Sequence, residues 1–176
     1  GLRTPASFVI DNKLFLTNRQ ELWAFDLIAK IWARKRDLPF AVLNFHNNEN
    51  GKTIVISNRA YFFFTDTSPT VSYEFARSFS VWRYDVTLDT WSQVINKLSG
   101  PQMDWGSLFV LEDGVYVADS ESQRYQKINT LEGPSYALTE LVYEVGLGGD
   151  SFVGYSINND GYAFVSGKGG FWQYVR

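Results

Sequence analysis

Leu22-Trp23-Ala24-Phe25-Asp26, with Trp32 behind it, and Val81-Trp82-Arg83-Tyr84-Asp85, with Trp91 behind it, decide how this chain is read. Both follow the pattern apolar-Trp-x-aromatic-Asp-x5-Trp with identical spacing. A partial third copy stands at Phe171-Trp172-Gln173-Tyr174, and a worn fourth around Arg124-Tyr125-Gln126-Lys127-Ile128. Taken alone, Leu22, Phe25, Ile28, Ala29 and Trp32 fall near helical spacing. The matching segment breaks that reading, because Val86, Thr87 and Thr90 are β-branched and Asp85 and Asp89 sit badly in a helix interior. Segments that share one fingerprint share one structure, and strand is the reading that suits both.

Outward from each fingerprint lies a turn between apolar runs, at Asp11-Asn12, Ser57-Asn58, Asp113-Gly114 and Asn158 to Gly161. Asn and Asp tolerate positive φ and Gly adopts it freely, which is what tight hairpins require. The turns recur every roughly 50 residues, which marks one supersecondary unit used four times. Aromatic content points the same way, with 6 Trp, 10 Tyr and 14 Phe in 176 residues. Such side chains favour a pleated, half-buried surface.

A hairpin followed by Trp-x-aromatic-Asp-x5-Trp, and in the first copy by Asp37-Leu38-Pro39, resembles the Kelch repeat. Gly154-Tyr155-Ser156-Ile157 through Gly161-Tyr162-Ala163-Phe164 looks particularly like bacterial cell-surface Kelch proteins. The resemblance implies an all-β fold, a β-propeller of about four Kelch-like four-stranded blades. The blades run at about 6–38, 41–98, 103–145 and 150–176, the last incomplete, in a single unit spanning 1–176. The expected form is an open arc, the C-terminal part of a larger propeller; a closed ring of four blades is the alternative. An open arc would leave blade faces for self-association. The Gly-Gly pair usual after the second strand of a Kelch blade is replaced here by Thr17-Asn18, Thr65-Asp66, Ala118-Asp119 and Ser166-Gly167.

The fingerprint residues receive packing roles. A Trp and the aromatic two residues later share one face of a strand, where large flat rings fill the space between blades. Trp23, Trp32, Trp82 and Trp91 are read as such core residues, and each Asp as the cap of the turn into the outer strand.

Strand alternation sends the loops between strands two and three, and between blades, to one side. That side carries the long excursions Asp37 to Lys52, Thr65 to Ser80 and Asn96 to Gly106, whereas the opposite loops are tight. Long loops on a rigid scaffold are where recognition is usually placed. The candidate ligand-binding residues are therefore His46, Asn48, Asp66, Tyr73, Glu74, Arg77, Asp104 and Trp105, a mixture of amide, charged and aromatic groups suited to a glycan or a protein surface. The same residues also suit plain solvated loops.

Other chemistry finds little purchase. The net charge is -3 and the longest basic run is Arg34-Lys35-Arg36, so no nucleic-acid partner is expected. No stretch approaches the roughly 18 apolar residues that span a bilayer, and no membrane insertion or signal-peptide pattern is read. There is no cysteine, hence no disulfide, thiolate metal site or cysteine nucleophile. His46 is the only histidine, no nucleophile elbow is present, and the segment Asn47 to Gly51 lacks calcium-loop spacing. Gly146 to Gly149 and Gly167 to Gly170 precede strands and form no phosphate loop. Asp66 and Glu74 are the nearest pair of carboxylates for glycoside hydrolysis. Of the propeller enzymes that share the resemblance, the galactose oxidase type needs a cysteine–tyrosine crosslink, and the sialic acid mutarotase type a complete ring. The expectation is a non-enzymatic recognition module for a glycan or protein, with no cofactor, no metal and no catalytic residues, placed extracellularly, at the cell surface or in the periplasm, with the cytoplasm as the alternative. A fragment of a carbohydrate-acting propeller enzyme is the alternative.

Overall fold

Asp11 and Asn12 take φ of 48° and 58°. Two successive positive-φ residues make the hairpin turn whose twist matches its flanking strands, and Asp and Asn are among the few side chains that accept them. The turn joins β1 (Ser7–Ile10) to β2 (Lys13–Asn18), in a register that sets Ile10 opposite Lys13 and Phe8 opposite Phe15. β3 (Glu21–Asp26) and β4 (Trp32–Arg34) complete a four-stranded antiparallel sheet in chain order.

The pattern repeats. A second sheet runs β5 (Gly51–Ile56), β6 (Arg59–Thr65), β7 (Ser78–Asp85) and β8 (Thr90–Ser99). A third runs β9 (Met103–Leu111), β10 (Gly114–Asp119), β11 (Arg124–Ile128) and β12 (Leu138–Leu141). A fourth holds β13 (Phe152–Ile157), β14 (Asp160–Val165) and β15 (Gly170–Tyr174). The computed structural model describes residues 6–18, 20–39, 51–65, 78–99, 103–112, 114–119, 124–128, 138–141, 152–157, 160–165 and 170–174, and no helix occurs among them. The chain is all-β, built from the up-and-down sheets of a β-propeller. Both Trp fingerprints are strand pairs, and the helical reading of 21–36 fails because Leu22 and Ala24 face one way and Trp23 and Phe25 the other.

The constant x5 spacing has a physical origin. Asp26 Oδ1 accepts the backbone N–H groups of Ile28 and Ala29 at 2.9 and 2.8 Å, while Lys30 N–H donates to the Asp26 carbonyl at 2.8 Å. The Asp26 N–H then reaches the Ile31 carbonyl at 2.9 Å, and Trp32 begins the outer strand. Asp85 Oδ1 holds Thr87 and Leu88 N–H groups in the same way, each at 3.0 Å. Lys30 and Asp89, equivalent in the two turns, both take positive φ, 60° and 51°. One carboxylate therefore fixes the turn, as the sequence suggests, and a left-handed residue four positions later closes it.

Two details differ from the sequence reading. The positive φ of the β5–β6 turn, 54°, falls on Ser57 rather than Asn58, whose side-chain amide instead donates to Thr87 Oγ1 at 2.8 Å. Asp160 opens β14 opposite Ile157, so it is a strand residue.

Contacts gather the strands into two compact units, Gly1–Thr65 with Phe79–Asn96, and Asp66–Ser78 with Lys97–Arg176. In the first unit a continuous core joins Phe8, Ile10, Phe15, Leu22, Ala24 and Leu38 to Ala60, Phe62 and Tyr84, with Trp82 and Trp91 packed against it. Phe8 and Phe15 stack in parallel at 4.8 Å between centroids; Phe62 meets Phe8 edge-on at 5.7 Å and Tyr84 meets Phe15 at 6.1 Å. Trp91 closes over Tyr84 and Phe62 at 4.8 and 5.1 Å.

The second unit repeats the stacked pair with Phe109 and Tyr116, 5.3 Å apart and 2° from parallel, and Lys127 Nζ lies 5.8 Å from the Tyr116 ring centre. Here β13 and β14 pack on β9, and Gly161 presses so closely on the pair that an added Cβ would lie 2.8 Å from Phe109 Cζ. A ring held in a stack cannot move aside. Gly161→Ala should therefore destabilise this unit by about 1–3 kcal/mol, the usual cost of overpacking. Urea unfolding checks it; an unchanged midpoint would mean that Phe109 is not held against β14.

Candidate functional site

The antiparallel sheets set which connections emerge together within a sheet. The β1–β2 and β5–β6 turns each have two residues between paired strands, whereas 35–50 joins β4 to β5 and 66–77 joins β6 to β7. The first two segments anticipated as long excursions fall between these strands. His46 and Asn48 belong to the first, and Asp66, Tyr73, Glu74 and Arg77 to the second, all outside the described residues.

The third excursion, Asn96 to Gly106, is not a long loop. β8 continues to Ser99 and β9 starts at Met103, which leaves only 100–102 between them. Buried Val94 and Ile95 lie in β8, which runs past Asn96, where the long loop was expected to begin. Asp104 and Trp105 are accordingly strand residues of β9, with Asp104 opposite Ala118. The register is interrupted between Asp104–Ala118 and Phe109–Tyr116, so Trp105 lies in an irregular stretch of the strand. Such bulges re-aim side chains at the edges of sheets.

A polar cluster that the sequence did not single out surrounds the second fingerprint. The Tyr84 hydroxyl donates to Asp89 Oδ1 at 2.6 Å, the Arg36 N–H donates to the same oxygen at 3.0 Å, and Trp91 Nε1–H donates to the Arg36 carbonyl at 3.1 Å. The segment leaving the first sheet is thus clipped to the second. Nearby, Arg59 pairs with Asp85 at 3.4 Å. The signal was present in the sequence as a Tyr and an Asp at the fingerprint positions held in the first copy by Phe25 and Lys30.

Burial first, and then donation to Asp89, push the Tyr84 phenol far above its ordinary value. Burial opposes ionisation of Asp89, but bonds from Tyr84 and the Arg36 N–H prevail and hold it below 3.8. The Leu88 N–H chiefly lowers Asp85, with Arg59 and Thr87 assisting, and the Ala29 and Ile28 N–H groups lower Asp26. Each carboxylate has a turn or a clip to hold. Among the described residues no group of three or more His, Asp or Glu side chains is placed to bind a metal, and no helix is long and apolar enough to cross a membrane.

Sheets of this form, in this order, define the class: a β-propeller. Compared with solved structures, the chain is similar to YjhT, a Kelch-like β-propeller protein, with a TM-score of 0.57 and 10% sequence identity over 92% of this chain. It spans 56% of that chain, little more than half its length. A propeller in a nidogen/laminin complex is matched at a TM-score of 0.49 and 10% identity, over 88% of this chain and 51% of that one. No protein-family model matches the chain, and no curated protein matches it in sequence.

The lowered carboxylates give a pH dependence. Each titrates lower when folded than when unfolded, so its contribution is complete above the ordinary value of 3.8 and is lost as pH falls through the folded value. Stability should fall on acidification below about pH 4. Asp85→Asn retains an acceptor oxygen without the charge, and should lose less stability between pH 7 and pH 3 than the unsubstituted chain. Equal acid losses in urea titrations would show that Asp85 is not held by its turn.

Proposed function

We propose that this chain is part of a non-enzymatic recognition module at the cell surface or in the periplasm, whose ligand is a glycan or a protein surface. The observation that carries the reading is the asymmetry of the connections. Two-residue turns close one end of the β1–β2 and β5–β6 hairpins, and the segments 35–50 and 66–77 supply chain for contact elsewhere. A stiff scaffold with long connections can present chemistry without altering its core. His46, Asn48, Asp66, Tyr73, Glu74 and Arg77 supply hydrogen-bonding and charged groups, and Trp105 on β9, next to Asp104, supplies a ring of the kind that stacks on a sugar or anchors a protein.

A carbohydrate-acting propeller enzyme is the second reading, because the chain spans only 56% of the solved propeller it resembles and catalytic groups could lie beyond it. A glycan-array screen of the 176-residue chain, alongside Tyr73→Ala and Trp105→Ala, tests recognition. Binding that falls at least tenfold with either substitution, a loss of about 1.4 kcal/mol, is the expected outcome. Binding that neither substitution alters would remove these residues from the site; turnover of a bound sugar would favour the enzyme.

A further inference from the structure

The connection that leaves the first sheet begins with a stem, residues 35–38, that is held along its whole length. The Lys35 N–H donates to the Leu22 carbonyl at 2.8 Å and the Leu38 N–H to the Gln20 carbonyl at 2.7 Å, so the stem continues along β3 past the end of β4. The Arg34 guanidinium grips Asp37 with both carboxylate oxygens within 3.2 Å. Leu38 is buried in the core of the first unit. Arg36 alone is held from the second sheet: its N–H donates to Asp89 Oδ1 at 3.0 Å, and its carbonyl accepts Trp91 Nε1–H at 3.1 Å.

A linker between two sheets needs only enough length, and loop closure is cheap in added residues. Bonds to one sheet edge leave a segment free to pivot about that edge. A donor and an acceptor on Arg36, both gripped by the neighbouring sheet, remove the pivot. The turn that carries Asp89 does not itself require this carboxylate, since Lys30 closes the equivalent turn of the first sheet at φ of 60°. The Asp89 carboxylate therefore serves something beyond its own turn.

We infer that Asp89 and Trp91 are positioning residues for recognition: by gripping Arg36 they fix the root of the connection 35–50, which carries His46 and Asn48, before a glycan arrives. The inference rests on the recognition reading proposed above. A root that is already ordered loses less conformational freedom on binding, and the saving appears as affinity. The bond from the Tyr84 hydroxyl to the same Asp89 oxygen lies within the second sheet, so the two bonds can be removed separately. Tyr84→Phe deletes the bond inside the sheet and leaves the grip on Arg36.

Asp89 takes φ of 51°, which Gly adopts freely and Asn tolerates. Asp89→Gly thus deletes the acceptor without backbone strain, and Asp89→Asn restores an acceptor oxygen. Amide hydrogen exchange at Arg36, read by mass spectrometry, should speed up with Asp89→Gly and return with Asp89→Asn. On a glycan array, Asp89→Gly should hold the glycan best retained by the unsubstituted 176-residue chain several-fold more weakly, whereas Asp89→Asn and Tyr84→Phe should hold it as the unsubstituted chain does. Faster exchange at Arg36 with binding unaltered overturns the inference and leaves the recognition reading standing. Equal losses of binding with Tyr84→Phe and Asp89→Gly also overturn it, since Asp89 would then act only through stability. If the unsubstituted chain retains no glycan, the recognition reading fails for glycans and this inference fails with it.

Discussion

Seating aromatic rings from one sheet on a stacked pair of rings in the sheet before it is the interaction on which the first unit depends. A four-stranded sheet cannot hide two apolar faces by itself, and β-strands supply no other way to dispose of them. Phe62, Tyr84, Trp82 and Trp91 on one sheet and Phe8, Phe15 and Leu22 on the other dispose of one face each. Rings bury about 150–250 Å² apiece, which at about 25 cal/mol per Å² is worth on the order of 4–6 kcal/mol gross for each, before conformational entropy is subtracted. By contrast, the ion pairs Arg34–Asp37 and Arg34–Glu21 are largely exposed and contribute little.

The turns make this packing repeatable. A single Asp that accepts two N–H groups fixes the distance from the third strand to the fourth, so the second Trp always arrives in the same register with the first. The fingerprint is therefore one mechanical unit, in which the Asp sets the turn, the turn sets the register, and the register sets the ring positions. The Tyr84–Asp89–Arg36 clip adds a polar lock in the second copy, where burial makes a well-made hydrogen bond matter more.

Most of this fold was legible in the residues. The matched Trp fingerprints and the apolar runs beside each turn marked the strands, Asp11-Asn12 marked a hairpin, and Asp26 and Asp85 marked their turns. What the alternation does not contain is the identity of the neighbour that covers a face. Trp32 and Trp91 look equivalent in sequence, yet one is half exposed and the other packed. Strand ends were also illegible between Asn96 and Gly106, which read as a long loop: β8 runs to Ser99 and β9 begins at Met103. That shift moved Asp104 and Trp105 from a loop to a strand. The candidate site was legible only as the length of two connections, since chain length marks where contact could be made but residue type alone does not arrange it.

The central claim is that Tyr84 and Phe15 are coupled across two sheets, and a double-mutant cycle measures that coupling directly. Phe15→Leu and Tyr84→Leu, singly and together, give an interaction energy from urea unfolding. The expected value is about 0.5–1.5 kcal/mol, the range for an aromatic pair in an edge arrangement. Strictly additive losses would mean that the two rings do not meet, and the account of how one sheet is seated on the next would be wrong.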